Sequence, residues 1–500
     1  MEHLPRDLLF ELSSYLSAIS YTRLALSCRD LYQQLHSNDF AIQSEIANEM
    51  AIYAALIKKE NLFITGSAGV GKSYLIDRIV EHAQLMKLRS KLVSTTAISA
   101  CNHYKASTFH SFFQIPAECT SVADYDFNNK IKMFINKLKK LKLLIIEEVS
   151  MLPAALLELG STICKYYRED ASPMGGVQLI VVGDFYQLPP IKGGYAFQSF
   201  LWQQLNFHVI ILPISIRHQK DPRFYHLLQR IRVGKPSDDD CRLLRTRSVD
   251  WVGSSTEADL PDVDEVDHLN ILEPLKLFAV NKGALELNQR RFDELLGTDF
   301  GTSIAEDRLV RKIKIEPDLT ITGGRYTDTD RYLPINSGVP ISKYKSSISN
   351  KFNKHLERIQ FKQGAQYLVT TNLHTANGIV NGSMVILQST TPGSVIVKTV
   401  KGRLVDIEKV AVRVKLDGSI YYERYQFPLI LGYATTIHNS QGMSMDRVFI
   451  DLDRVFAEHQ VYVALSRVRS LAGLSLKSFD PNKIKVSLVV ERFYNALKNN

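Results

Sequence analysis

Residues 61–83 read NLFITGSAGVGKSYLIDRIVEHA, and this stretch decides the fold. Leu62 to Thr65 predict a buried strand, Gly66 to Gly71 a glycine loop, and the apolar positions Leu75, Ile76, Ile79 and Val80 a helix from about Lys72. Together they make GxxxxGK[ST] in the strand–loop–helix setting that gives the pattern meaning. Gly66, Gly69 and Gly71 let the backbone of Ser67, Ala68 and Val70 fold tightly enough for its N–H groups to face phosphates. The helix N-terminus adds partial positive charge. Lys72 would reach the β- and γ-phosphates, and the Ser73 hydroxyl would bind Mg²⁺. The bland alternative is a glycine turn that happens to precede a helix.

Two further apolar runs end in polar residues. LKLLIIEEVSML (141–152) places Glu147 and Glu148 at the end of a buried strand. Beside a phosphate loop, the first acid would hold Mg²⁺ and the second would orient and deprotonate the attacking water. GGVQLIVVGDFYQLPPI (175–191) runs from a strand into Gly183, Asp184 and Gln187, at the sheet edge where α/β folds place ligands. Gln187 could sense the γ-phosphate through its amide, while Pro189 and Pro190 stiffen the loop.

The rest of the chain is compatible with such an enzyme. Its 500 residues exceed one hydrophobic core, and 45% hydrophobic with 23% charged residues argues against wholesale disorder. The net charge of +9 suits a polyanionic partner. Five scattered cysteines (Cys28, Cys101, Cys119, Cys164, Cys241) form no metal-binding pattern. The N-terminus lacks a signal-peptide layout, and no apolar run reaches the ~20 residues of a membrane helix. These features predict a reducing compartment, nucleus or cytoplasm, and no membrane.

In order and wording the three motifs resemble the Pif/RecD-like branch of superfamily 1 helicases, over roughly residues 43 to 495. TTAISACNHYKASTFHSFFQI (95–115) resembles the strand-binding motif of that family. FQSFLWQQL (197–205) and IRHQKDPRFYHLLQRIRVGKPS (216–237) resemble its inter-domain passage. FKQGAQYLVTTN (361–372), GIVNGSMV (378–385), FPLILGYATTIHNSQGMSMDRVFIDL (427–452) and VYVALSRVRSLAGL (461–474) resemble its later motifs. The resemblance implies an α/β fold of two RecA-like parallel-sheet motor domains, ATP and Mg²⁺ as cofactors, and 5′-to-3′ movement on single-stranded DNA that unwinds forks. Arg467 is the expected arginine finger and Arg217 the second choice. His438, Gln441, Gly442 and Ser444 would couple the nucleotide to the nucleic acid, with Gln441 and Gly442 near ATP. Thr96, Thr108, His110, Phe112 and Phe113 from the first domain, with Asn372, Asn381 and Thr436 from the second, are the candidates for gripping a strand. Paired aromatics such as Phe112 and Phe113 also commonly pack inside.

Departures accompany the matches. Glu147 stands where the family usually has Asp, the linker RQ pair is Arg217-His218-Gln219, and Asn48, Glu49 and Met50 stand where an adenine-reading Gln is expected.

The expected domains are an F-box-like helical module (1–42), motor domain 1 (43–212), linker and first part of motor domain 2 (213–374), an SH3-like β insert (375–428), and the rest of motor domain 2 (429–500). Residues 4–35 resemble an F-box and imply a Skp-type adaptor as partner; a small helical cap is the alternative. Residues 235–275, acidic and polar, predict an exposed linker or loop. The functional reading is a monomeric ATP-dependent DNA helicase. Its rivals are a ubiquitin-ligase substrate receptor that uses the motor for localisation, and a single-strand translocase or RNA remodeller.

Overall fold

The computed structural model describes residues 40–499, apart from 97–98, 101–102, 104–105, 117–118, 120, 129–131, 213, 250–271, 315–329, 336–355, 372, 374–378, 380–381, 392, 401 and 418–419. The F-box-like segment 4–35 and the candidates Asn372 and Asn381 lie outside the described residues. The chain is a mixed α/β protein with parallel sheets. It divides into two compact units, Met1–Pro261 with Ile437–Asn500, and Asp262–Thr436.

The first unit is built on a six-stranded sheet. In chain order its strands are β1 (Leu62–Thr65), β2 (Ser90–Ser94), β3 (Ser107–Thr108), β4 (Leu143–Glu147), β5 (Gln178–Val182) and β6 (His208–Ile211). They lie side by side as β3-β2-β4-β5-β1-β6, all parallel. Strands covered on both faces read as continuous apolar runs, which is why β1, β4 and β5 were legible. Alternate residues feed two cores. Phe63, Leu144, Ile146, Leu179 and Val181 enter one, whereas Leu62, Ile64, Leu143, Ile145, Ile180 and Val182 enter the other.

Helices cover both faces. In chain order they include α1 (Phe40–Leu56), α2 (Lys72–Leu85), α3 (Phe109–Phe113), α4 (Ala154–Arg168), α5 (Pro222–Arg232), α6 (Gln460–Leu465) and α7 (Leu488–Asn499). Helix α7, from the far end of the sequence, sends Phe493 and Tyr494 into the first core. Phe493 stacks on Phe197 at 4.1 Å, and Tyr494 on Tyr186 at 4.8 Å. The acidic stretch expected as a linker begins instead as a helix, Asp238–Arg245. Ser237 and Asp240 form a capping box and three aspartates fill the first turn, where the helix dipole favours them. Its remainder, 250–271, lies outside the described residues.

The second unit pairs Ala434–Thr436 in parallel with Leu275–Phe278, beside the helix Asn281–Glu294. The strands expected to form one insert are shared between two antiparallel sheets. Leu404–Glu408, Ser394–Thr399, Met384–Thr390, Gln366–Val369 and Leu429–Leu431 make one. Val410–Asp417 and Ile420–Gln426 join Glu306–Lys314 and Asp330–Pro334 in the other.

Candidate nucleotide site and its surroundings

The glycine loop leaves β1 and enters α2 with Gly66, Gly69 and Gly71 at positive φ. Gly69 is also obligatory by contact, because a Cβ there would stand 2.5 Å from Cβ of Arg217. Lys72 is half-buried, and its ammonium donates to the carbonyls of Gly66 (2.8 Å) and Ser67 (2.9 Å). Burial lowers its pKa, against the pull of Asp184 and Glu148.

The two acids have separate surroundings. Glu147 ends β4 and accepts from the Ser73 hydroxyl through Oε1 at 2.9 Å. Its Oε2 accepts from Ser99 and lies 3.1 Å from His103 Nε2. Glu148 sits just beyond the strand at φ 55° and accepts from Gln441 Nε2 at 2.9 Å. Burial, with Glu147 beside it, raises the Glu148 pKa to about 7, although Lys72, Arg467 and Gln441 all pull it down.

Arg467 is buried in this same unit, and Arg217 is half-buried there. Arg467 donates to the carbonyl of Val463 (2.8 Å) and to Ser466 Oγ (2.8 Å). Arg217 donates to the Ser466 carbonyl (2.7 Å), and its Nε has no partner. Among the described residues neither guanidinium forms an ion pair, and burial lowers the pKa of Arg467 to about 10 and of Arg217 to about 9. The residue that lengthens the linker motif, His218, is a buried tie between segments, with Nδ1 2.8 Å from Ser215 Oγ and Nε2 3.1 Å from the Val468 carbonyl.

Several contacts at the site had not been read from the sequence. Tyr462 on α6 accepts from the Ala68 N–H at 2.9 Å. Asp184, fully buried, is held in two hydrogen bonds by Arg232 (2.6 and 3.0 Å). Burial alone would raise its pKa, yet Arg232 holds it below the usual carboxylate range. The Arg232 guanidinium lies over the rings of Tyr186 (4.5 Å) and Tyr494 (5.5 Å). The signal that could have exposed this pair was Asp184 itself, since an acid behind an apolar strand requires a cation or several N–H donors.

The donor set suits the expected cofactors. A hydroxyl and a carboxylate oxygen 2.9 Å apart at the start of α2 are the hard oxygen donors that Mg²⁺ prefers. Buried polar atoms without partners, Ser67 Oγ, Arg217 Nε and Gln441 Oε1, belong to the same group of residues.

The strand-gripping candidates are less uniform. Thr96 Oγ1 accepts from the Ser99 N–H, and Thr108 Oγ1 accepts from the Ser111 N–H as the cap of α3. Phe113 is core, packed on Phe109 at 4.7 Å, whereas Phe112 and His110 are half-buried. Gln187 is buried, with its N–H on the Asp184 carbonyl. His438 is half-buried, 6.3 Å from the Phe456 ring. Thr436 ends a strand of the second unit. Glu49, in the stretch where the family resemblance places an adenine-reading Gln, is buried and ion-paired with Arg78 at 2.5 Å.

Comparison with known proteins follows the same lines. Residues 40–242 match the family model of the PIF1-like helicases. The chain carries a PIF1-like helicase domain. Residues 1–43 ahead of it match the F-box domain. The ATP-dependent DNA helicase PIF1 of Danio rerio is 31% identical over 460 residues, covering 90% of this chain and 63% of that protein. The chain thus spans somewhat less than two thirds of the vertebrate relatives. The Pif1 of Bdellovibrio bacteriovorus is 29% identical, with 91% of this chain and 92% of that one covered. A Pif1 helicase crystal structure from Candida albicans has a TM-score of 0.69 at 26% identity, covering 90% of this chain and 98% of that one. Bacteroides Pif1 with ADP-AlF4 shares the fold at a TM-score of 0.68 and 22% identity, covering 91% and 96%. The PIF1-like domain contains the glycine loop, both acids and Arg217. Gln441, Tyr462 and Arg467 come from later in the chain.

Proposed function

We propose that the chain is an ATP-dependent DNA helicase that moves 5′-to-3′ on single-stranded DNA and separates forked duplexes. The observation that carries this reading is a pair of guanidiniums, buried Arg467 and half-buried Arg217, without an ion-pair partner among the described residues, beside a glycine loop, Lys72 and Glu148. A buried cation without a counter-charge is costly unless an anion arrives to meet it. A triphosphate does so, and cations on its terminal phosphate are what phosphoryl transfer needs.

The roles follow from placement. The loop amides and Lys72 bind the phosphates, Glu148 orients and deprotonates water, and Gln441 positions Glu148. Arg467, and Arg217 as the second choice, meets the charge that develops on the terminal phosphoryl group. Ser73 and Glu147 would hold Mg²⁺, which when bound supplies neutralising charge to the phosphates. The DNA substrate is supported by the names of the relatives, by Bacteroides Pif1 bound to single-stranded DNA, and by a structure concerned with unwinding at forked duplex DNA by two coordinating Pif1 helicases. Strand displacement on forks bearing only a 5′ or only a 3′ tail tests the proposal. Unwinding of the 5′-tailed fork alone is expected, while hydrolysis stimulated by RNA and not DNA would replace the reading with an RNA remodeller.

The F-box match favours a second role, docking of a Skp-type adaptor through residues 4–35, on a monomeric motor working in the nucleus or cytoplasm. Deleting residues 1–40 is expected to abolish adaptor binding and leave unwinding intact. Lost unwinding would make the module part of the motor.

A further inference from the structure

Glu147 is one methylene longer than the Asp that the family resemblance implies, so its carboxylate has an additional torsion to fix. Its two oxygens are divided between different partners. Oε1 faces the Ser73 hydroxyl at 2.9 Å. Oε2 accepts from the Ser99 hydroxyl and lies 3.1 Å from His103 Nε2. The far nitrogen of the same ring, Nδ1, is 2.5 Å from Asp77 Oδ1. Asp77 lies one turn beyond Ser73 on α2, so the row returns to the helix from which it started. Ser99, His103 and Glu147 are buried, which keeps water from competing at Oε2, whereas Asp77 and Ser73 at the two ends of the row are exposed.

We propose that Ser99 and His103, braced by Asp77, are positioning residues that hold Glu147 Oε2 and so present Oε1 alone on the Ser73 side, selecting Mg²⁺ over Ca²⁺. This deepens the nucleotide-site reading and rests on it. A carboxylate with one oxygen already engaged offers a single lone-pair direction. Mg²⁺, with near-ideal octahedral demands and mostly water ligands, is satisfied by one such oxygen, whereas Ca²⁺ gains from two-oxygen carboxylate binding and a larger, looser shell. Outer partners of a metal-binding carboxylate commonly change metal affinity 10- to 100-fold when removed.

The test is equilibrium binding of a fluorescent ATP analogue to the full chain in EDTA, in Mg²⁺ and in Ca²⁺. For His103→Ala, and for Ser99→Ala more weakly, affinity in EDTA is expected to stay within about twofold of wild type. Affinity in Mg²⁺ falls about tenfold or more, and the preference for Mg²⁺ over Ca²⁺ narrows. The Mn²⁺ electron paramagnetic resonance spectrum of the nucleotide complex should broaden in the same variants. His103→Gln, which keeps a donor toward Glu147, should recover part of the Mg²⁺-dependent affinity and serves if the alanine variant does not fold. In a Glu147→Asp background the shorter acid no longer reaches the ring, so His103→Ala should have no added effect. Unchanged Mg²⁺-dependent affinity and unchanged Mg²⁺/Ca²⁺ preference in both His103 variants would overturn the proposal. Wild-type protein that binds no nucleotide, or whose binding ignores Lys72→Ala, would overturn the site reading itself.

Discussion

Arg232→Met should destabilise the first unit more than most single changes, and the structure gives the size of the effect. Asp184 is fully buried, and its charge is compensated by two Arg232 hydrogen bonds of 2.6 and 3.0 Å. Its other contacts, the Tyr186 N–H at 3.1 Å and the Tyr494 hydroxyl at 3.4 Å, are neutral donors. Removing one member of a buried pair typically costs about 3–5 kcal/mol, because the other charge stays behind. Loss of the guanidinium from above Tyr186 adds a smaller cation–π term. At about 2.1 cal/mol/K per residue over roughly 300 residues, unfolding entropy is about 0.6 kcal/mol/K, so the melting temperature should fall by about 5–8 °C. Differential scanning fluorimetry followed at Tyr and Trp measures it. Adding Asp184→Asn to Arg232→Met should recover at least half of the loss, since no bare charge then remains. A single variant melting within about 1 °C of wild type would refute the reasoning.

Other outcomes follow from the same contacts. Lys72→Ala should abolish ATP turnover, and Glu148→Gln should retain nucleotide binding while lowering turnover at least ~10²-fold, as loss of a general base does; normal hydrolysis in either removes the assigned role. Affinity for single-stranded DNA, measured by fluorescence anisotropy, should fall with salt by about 0.7 log unit per log unit for each phosphate contacted, and a flat profile would exclude a backbone-tracking groove. His218 and His459 are held down to about 4, in both cases first by burial. Over the interval from about 6.5 down to 4 the unfolded chain takes a proton that the folded chain refuses. Stability is therefore full above pH 6.5 and falls by about 1.4 kcal/mol per pH unit for each histidine below it. His459→Asn should flatten the decline in melting temperature between pH 7 and 5, and a parallel decline would refute this.

Much of the first unit was legible because a parallel strand buried on both faces has to be apolar throughout. LFIT, LLIIE and QLIVV admit little else. The phosphate loop and the two acids were legible for a related reason, since their chemistry is carried by neighbours in sequence. The site residues that escaped notice are those whose partners are distant. Tyr462 meets Ala68 across 394 positions, and Tyr494 meets Thr65 across 429. Arg232 lies near the end of an amphipathic helix, where an arginine normally faces water, so periodicity alone gave no cause to bury it. His103 reads as an ordinary loop histidine until Glu147 and Asp77 flank it. Composition misled in one place. The acidity of SDDDCRLL suggested a solvated linker, yet the same aspartates cap a helix and Asp240 pairs with Arg230 at 2.6 Å. In the second unit, alternation announced strands but not partners. Glu306–Lys314 and Ile420–Gln426 pair across more than a hundred residues, beyond the reach of any local pattern.

Arg217 offers the converse of Arg232, and the contrast separates charge kept for folding from charge kept for function. Both side chains are largely buried in the same unit, but Arg232 answers a carboxylate while Arg217 has one carbonyl and an unpartnered Nε. Its pKa, lowered to about 9 by burial and by Arg467, reports a cation that the folded protein holds at a cost. Replacing a buried ion pair with apolar side chains of similar volume is neutral or stabilising by about 1–4 kcal/mol in many proteins, and removing a cation that has no counter-charge should act in the same direction. Arg217→Met should therefore raise the melting temperature by about 2–6 °C on the entropy scale used for Arg232. The same variant should lose DNA-stimulated hydrolysis, because the triphosphate no longer meets that cation. The same substitution thus carries opposite signs at two arginines of one unit, as expected where stability is given up for activity. A melting temperature that falls for Arg217→Met, or hydrolysis that survives it, would show that Arg217 is a structural cation and leave Arg467 alone to face the phosphate.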